Sequence, residues 1–327
     1  AINNDKLQTA YRNTLKAFYG ALKTQDRYIR FALLTGVTKF GKVSVFSDLN
    51  NLTDISMDES YDTLCGITEE EMHRYFEEGI QKLADRYDIS YEEACARLKK
   101  RYDGYHFVEY GTGVYNPFSL LSTFRANKFG SFWFETGTPT FLVQLLQREN
   151  FYLPDLTQQQ VSADMLNSID AMDRNPIPVI YQSGYLTIKD YDEEFKVYTL
   201  GFPNEKVEEG FANYLLPYYA HTGSEGAPMY VRNFVLALRN GKPEEFMKRM
   251  QVLFADTDYK IVGNAELYFQ NAFYIVTKLL GFYTEVERTI SDGRIDMIVK
   301  TKDYIYIFEF KYSSALPTIL KSVSAKS

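Results

Sequence analysis

The chain has 327 residues, of which 45% are apolar and 16% aromatic, and it carries a formal net charge of −7. That composition excludes a disordered or fibrous chain and provides for two or three compact units rather than one. The acidic balance gives no overall attraction to nucleic acid, so any phosphate binding must rest on a local patch.

No stretch approaches the roughly 18 uncharged apolar residues that a membrane span needs. The N-terminus lacks a basic-then-apolar signal pattern, so a cytoplasmic location is expected. Cys65 and Cys95 lie far apart and belong to no CxxC or Cys/His cluster. They are expected to be buried packing residues, not disulfide or zinc partners.

The sequence opens at Ala1 with no initiator Met, and Leu7, Ala10, Tyr11, Leu15, Phe18 and Leu22 already fall at helical spacing, as at a fragment boundary. Residues 28–37 (YIRFALLTGV) form an apolar run of strand length, expected to be a buried parallel strand. Residues 48–57 read as a polar loop. Thr68 with Glu71, and Ser90 with Glu93, are capping-box signatures that open amphipathic helices over about 69–86 and 91–101.

From 102 to 146 the pattern breaks into aromatic and glycine clusters, YDGYHF, VYNPFSLL and FWFETGTPTFL, with Pro117 and Pro139 suited to the first turns of helices. The Trp133 cluster is expected to pack on the core. Residues 179–188 and 196–200 are strand-like around the acidic turn 190–194, so a hairpin is expected there, then a helix over about 204–218. Helix, helix and hairpin in that order suggest a winged-helix unit. Further helices are expected over 231–239 and 244–254, on either side of the Asn240-Gly241 break.

Residues 266–280 (ELYFQNAFYIVTKLL) suit a buried helix that Gly281 ends, and three strand-like runs follow, at 282–290, 294–300 and 304–311. Alternation along the third run puts Ile305, Ile307, Glu309 and Lys311 on one face and Tyr304, Tyr306, Phe308 and Phe310 on the other. Two unpaired charges at the end of a buried sheet would cost several kcal/mol unless they serve each other, a metal or an open cleft. Asp296 on the neighbouring run brings a second carboxylate, and with no His or Cys nearby the set suits Mg2+ or Mn2+ rather than Zn2+. The structural alternative is a surface ion pair of Glu309 with Lys311 or Lys300. Two further acidic-x-Lys triplets, at 194–196 and 258–260, lie in polar turns.

GRIDMIV followed by YIFEFK resembles the PD-(D/E)XK nuclease superfamily. The resemblance implies Asp296 and Glu309 as metal ligands, the Phe310 carbonyl as a further ligand, and Lys311 as the residue that orients water or stabilises charge on phosphorus. Glu266 matches an acidic residue that many members place on the preceding helix; Gln270, one turn on, has no assigned role. Over nearly the whole chain, IRFALLTGVTKFGKVSVFSDLNNLTDISMD, YDGYHF, YNPFS, WFETGTPTFL and YQSGYLTIKDY resemble bacterial AAA-ATPase-like proteins with such a C-terminal domain.

The resemblance implies a mixed α/β chain in three parts: the end of an AAA-type α/β unit over 1–60, a helical middle region over 61–258, and a restriction-endonuclease-like α/β core over 259–327. Residues 28–37 would then be a sensor-type strand. The implied function is metal-dependent phosphodiester hydrolysis on nucleic acid, with DNA the expected substrate, coupled to the AAA-type region. The alternative is a catalytically silent module that binds a protein partner in an ATP-driven system. ATP is expected only in a complete family member, and no ATPase activity is expected of this chain alone. Residues 36–42 meet GxxxxGK, but Val43 stands where a P-loop needs a Mg2+-binding hydroxyl. His73 and His106 are expected to pack or hydrogen-bond, since no Ser or Cys nucleophile stands beside them, and His221 is expected in a loop. After Lys311 the family core continues with a helix and a strand, whereas residues 312–327 are short and rich in Ser and Lys.

Overall fold

The computed structural model describes residues 5–36, 52–135, 140–157, 159–167, 175–220, 226–255, 265–281, 283–291, 294–311 and 318–326. It is mixed α/β and mainly helical, with small antiparallel sheets. Two compact units emerge: Ala1–Thr136, Gln144–Glu149 and Leu156–Glu205 form the first, and Gly137–Val143, Asn150–Asp155 and Lys206–Ser327 the second.

The first unit begins with helix α1 (Asp5–Thr24) and a single 3-10 turn, Asp26–Tyr28. The strand expected at 28–37 does not form over its described part: Phe31 is 82% exposed, Leu33 and Leu34 are exposed too, and no ladder includes them. Apolar content alone does not make a strand, which needs a neighbour to receive its backbone hydrogen bonds. The GxxxxGK residues from 37 onward, and residues 48–51, lie outside the described residues.

Helix α2 (Glu69–Tyr87) has a full capping box: Thr68 Oγ1 accepts from the Glu71 amide at 3.2 Å, and Glu71 Oε2 accepts from the Thr68 amide at 2.9 Å. At α3 (Tyr91–Tyr102) only half of the box is made. Ser90 accepts from the Glu93 amide, while the Glu93 carboxylate pairs with Arg97 at 2.7 Å. Helix α4 (Pro117–Ala126) starts with proline behind an Asn116 cap. Met72, Ile80, Leu83, Leu98, Tyr102 and Leu120 close the core between these three helices. Tyr102 Oη both donates to the Gly130 carbonyl and accepts its amide, each at 2.9 Å.

Helices α5 (Phe132–Glu135) and α6 (Thr140–Arg148) follow, and Trp133 packs on Tyr185 with ring centroids 4.9 Å apart. Pro139 lies outside the described residues. Strand β1 (Gln160–Ser162), helices α7 (Ala163–Asn167) and α8 (Ile177–Gln182), and strands β2 (Thr187–Asp192) and β3 (Val197–Gly201) come next. The sheet order is β1-β3-β2, so strand, helix, helix and hairpin follow one another as in a winged helix. The run at 179–188, expected as strand throughout, is helical in its first half. Asn175 Oδ1 caps the Ile177 amide at 3.0 Å, and Pro178 sits in the first turn. Ile177, Val179 and Ile180 are buried, so an apolar run read as a strand is here a short core helix.

Of the two cysteines expected to be buried packing residues, Cys65 is exposed in the turn before α2, whereas Cys95 on α3 is half-buried and packs against the helical core.

The second unit holds α9 (Glu205–Tyr219, its first residue in the first unit), α10 (Gly226–Arg239), α11 (Pro243–Ala255) and α12 (Ala265–Gly281). After α10 the Gly241 amide donates to the Leu238 carbonyl and the Lys242 amide to that of Ala237, a Schellman stop with Gly241 at φ +71. Strands β4 (Glu285–Ser291), β5 (Arg294–Lys300), β6 (Tyr304–Lys311) and β7 (Thr318–Lys326) form one antiparallel sheet in chain order. At the β5–β6 turn the Thr301 amide donates to the Tyr304 carbonyl at 2.8 Å, and the Tyr304 amide to Thr301 Oγ1 at 3.1 Å.

One face of this sheet is core: Met297, Val299, Tyr306 and Phe308 are fully buried. Phe308 packs on Phe246 of α11 at 4.9 Å, and Tyr306 Oη donates to the Leu238 carbonyl of α10 at 2.7 Å. The other face is open where it is described, with Ile307 48% exposed.

Candidate active site

Alternation on β5 and β6 decides which residues reach the open face. Met297 and Val299 are buried on either side of the half-buried Ile298, and Ile307 is exposed between the buried Tyr306 and Phe308, so the two faces alternate over the described side chains of β5 and β6. The register then places Asp296 directly opposite Glu309 and Arg294 directly opposite Lys311. Directly paired residues of an antiparallel ladder share a face and have Cβ atoms about 4.5–5.5 Å apart. Both strands are internal to the sheet, β5 between β4 and β6, and β6 between β5 and β7. The β6–β7 register shifts between Phe308 and Glu309, so the irregularity falls beside Glu309.

The rows extend across all four strands. Thr289, Asp296, Glu309 and Leu320 form one; Ser291, Arg294, Lys311 and Thr318 form the next. Phe310 lies opposite Ile295 and Ile319, and its carbonyl has a second lone pair beyond any ladder hydrogen bond. Glu266 is in the first turn of α12, and helical spacing puts it on one stripe with Gln270 and Tyr274, both half-buried. The side chains of Asp296, Glu309, Phe310, Lys311 and Glu266 fall outside the described set, and so does their expected convergence on one cleft. Among the described residues no group of three or more His, Cys, Asp or Glu is arranged to hold a metal ion.

His73 and His106 have local contacts. His73 Nδ1 lies 3.2 Å from Tyr91 Oη, and its Nε2 3.6 Å from Glu69. The His106 backbone amide and carbonyl both meet the Thr187 hydroxyl at 2.7 Å. Burial, then the nearby Lys189 charge, hold the His106 imidazole below its usual range. Cys95 is pushed up, chiefly by burial, which makes its thiol a poor nucleophile. His221 and the Lys of the 258–260 triplet lie outside the described residues; Lys196 of the other triplet sits at φ +53 at the end of the hairpin turn. Arg294 drew no role from sequence reasoning, although it immediately precedes the Ile295-Asp296 pair; only the register shows what it faces.

Residues 264–321 match the family described as the PD-(D/E)XK nuclease superfamily, and residues 1–46 the family described as "Predicted AAA-ATPase". The chain therefore carries a PD-(D/E)XK superfamily domain at its C-terminal end and an AAA-ATPase-like segment at its N-terminal end. It is 35% identical over 317 residues to a protein of Azotobacter chroococcum mcd 1 described as "Uncharacterized protein in vnfD 5'region". That similarity covers 94% of this chain and 58% of the relative's length. No solved structure matches the chain. No helix among the described residues is long and apolar enough to cross a membrane.

Proposed function

We propose that the C-terminal domain hydrolyses phosphodiester bonds in DNA, with Asp296 and Glu309 holding a divalent ion, magnesium or manganese. The reading is supported by one observation above all: the β5–β6 register pairs Asp296 with Glu309. The donor set fits a hard cation, since it consists of two carboxylates and, in the Phe310 carbonyl, a third oxygen. When bound, such an ion supplies an activated water and polarises the phosphate. Lys311, two residues from Glu309 on the same face, donates to the water or to the charge developing on the phosphate oxygens. Glu266 is the accessory carboxylate.

In this reading residues 1–60 close an AAA-type unit, 61–258 form the helical middle region, and 259–327 the nuclease core of a cytoplasmic protein. The AAA-type region gates or loads the nuclease in the longer family architecture. The chain by itself does not hydrolyse ATP, because Val43 supplies no hydroxyl at the position after Lys42. Saturable micromolar ATP binding by calorimetry, abolished in Lys42→Ala, would reverse that part.

The test incubates the full chain with supercoiled plasmid, single-stranded DNA and RNA, each with Mg2+ or Mn2+. Nicking of DNA that stops in chelator and in Asp296→Ala and Glu309→Ala is expected. Lys311→Ala should cut at least about a hundredfold more slowly, the usual loss for one preorganised donor. Inertness on every substrate with either metal overturns the reading and favours a protein-interaction module.

A further inference from the structure

Two adjacent rows of the β4–β7 register segregate charge. Asp296 is paired with Glu309, and Arg294 with Lys311, so each cross-strand pair has like charges, with opposite charges one step away along the diagonals. Like charges directly opposite each other are unfavourable in an antiparallel ladder. Such a pair is relieved by a counter-ion of the other sign. The nuclease reading already assigns a cation to the acidic row, and by the same argument the basic row suits an anion.

That second row is all donors. Ser291, Arg294, Lys311 and Thr318 stand side by side across four strands: hydroxyl, guanidinium, ammonium, hydroxyl, with no carboxylate among them. It lies one same-face step, two residues, from the carboxylate row on the same strands. Two cations flanked by hydroxyls match the oxygens of a phosphodiester, and a guanidinium presents a planar fork that binds two of them at once. We infer that the row Ser291–Arg294–Lys311–Thr318 is the phosphate-binding row of this domain, and that Arg294 holds the phosphodiester beside the Asp296–Glu309 pair. This rests on the nuclease reading and adds to it a residue and a row. It also accounts for how an acidic chain engages DNA, by concentrating cations where the backbone passes.

The test measures binding of a short fluorescein-labelled DNA duplex to the full chain by anisotropy across a salt series, in chelator, so that cleavage plays no part. Each phosphate neutralised contributes a slope of about −0.9 in log K against log salt. Arg294→Gln should weaken binding and reduce the slope by about that amount. Arg294→Lys, which keeps the charge, should retain the slope but cut more slowly than the parent. Lys302→Gln, in the exposed β5–β6 turn, should leave both unchanged. Mn2+ affinity, read by calorimetry, should stay within about twofold in Arg294→Gln, because that residue is not an oxygen ligand. Should Arg294→Gln not fold, Arg294→Met keeps the aliphatic stem and gives the same readout.

An unchanged slope in the Arg294 variant overturns the inference even if the parent cuts DNA. An equal drop in Lys302→Gln also overturns it, since attraction would then be spread over the surface. Loss of Mn2+ affinity along with DNA affinity would make Arg294 a support of the sheet and overturn it too. A parent that binds with the expected slopes but never cuts defeats the nuclease reading and leaves the anion row standing.

Discussion

The Tyr306 hydroxyl, on a side chain without solvent exposure, donates to the Leu238 carbonyl at 2.7 Å. The same carbonyl accepts the Gly241 amide, so one oxygen ends α10 and anchors the sheet. Tyr306→Phe leaves that oxygen with a partner, and the expected loss is about 1 kcal/mol, an ordinary net hydrogen bond. Phe308→Ala removes a ring packed on Phe246 and should cost about 3–5 kcal/mol. Urea unfolding followed by circular dichroism would separate the two; equal losses would contradict this assignment.

Gly241 sits at φ +71, and a Cβ there would come within 2.8 Å of the Tyr304 ring. Gly241→Ala should therefore destabilise the second unit by about 1–2 kcal/mol, the cost of a left-handed L-residue, with any displacement of Tyr304 added. Gly281, which also closes a helix, has open space around it, so Gly281→Ala should change the unfolding midpoint far less.

His106 gives the first unit a pH dependence of definite sign. Its imidazole is held below the ordinary value of 6.5, first by burial and then by Lys189, with Asp103 opposing. The unfolded chain therefore takes up the proton first as pH falls. Stability associated with the neutral ring is complete above about pH 6.5 and is lost as pH drops through the lower folded value. His106→Gln should flatten the fall in urea midpoint between neutral and mildly acid pH; an identical profile in the variant would show that other groups cause it.

The paired carboxylates predict opposite effects of one substitution in two buffers. In chelator, Asp296→Asn should raise the melting point slightly, because a like-charge cross-strand pair costs roughly 0.2–1 kcal/mol. With Mn2+ at about a hundred times its dissociation constant, the parent should gain about 2.7 kcal/mol and overtake the variant. Thermal shift in both buffers reads this directly. A variant destabilised in chelator would mean that Asp296 already has a structural partner.

The elements most legible in the sequence were those with local chemistry. The Thr68–Glu71 box, Pro117, the Gly241 stop and the alternation of β6 over its described side chains, 305–308, each act within a few residues, and each appears where the pattern put it. The failures involve distance. Residues 28–37 have strand composition but no neighbouring strand in the described fold, and residues 177–182 are apolar enough to be strand or helix until the Asn175 cap decides. Strand β1 is only three residues long and exists because β3 receives it. For the candidate site, Glu309 and Lys311 stood out as charges closing an apolar run and Asp296 as a carboxylate just after the turn into the neighbouring run, whereas the position of Arg294 across from Lys311 depends on a register that no single strand encodes.

The three-residue connection between β5 and β6, 301–303, is short and closed by hydrogen bonds between Thr301 and Tyr304. Exposed turns ordinarily absorb insertions and deletions. Here one added residue that slid β6 by one place would put Ile307 on the packed face, push Tyr306 and Phe308 into water and break the pairing of Asp296 with Glu309. A sequence change in a solvent-facing turn would thus disturb the candidate site and the core together, making 301–303 the segment of this domain whose length is least free to drift.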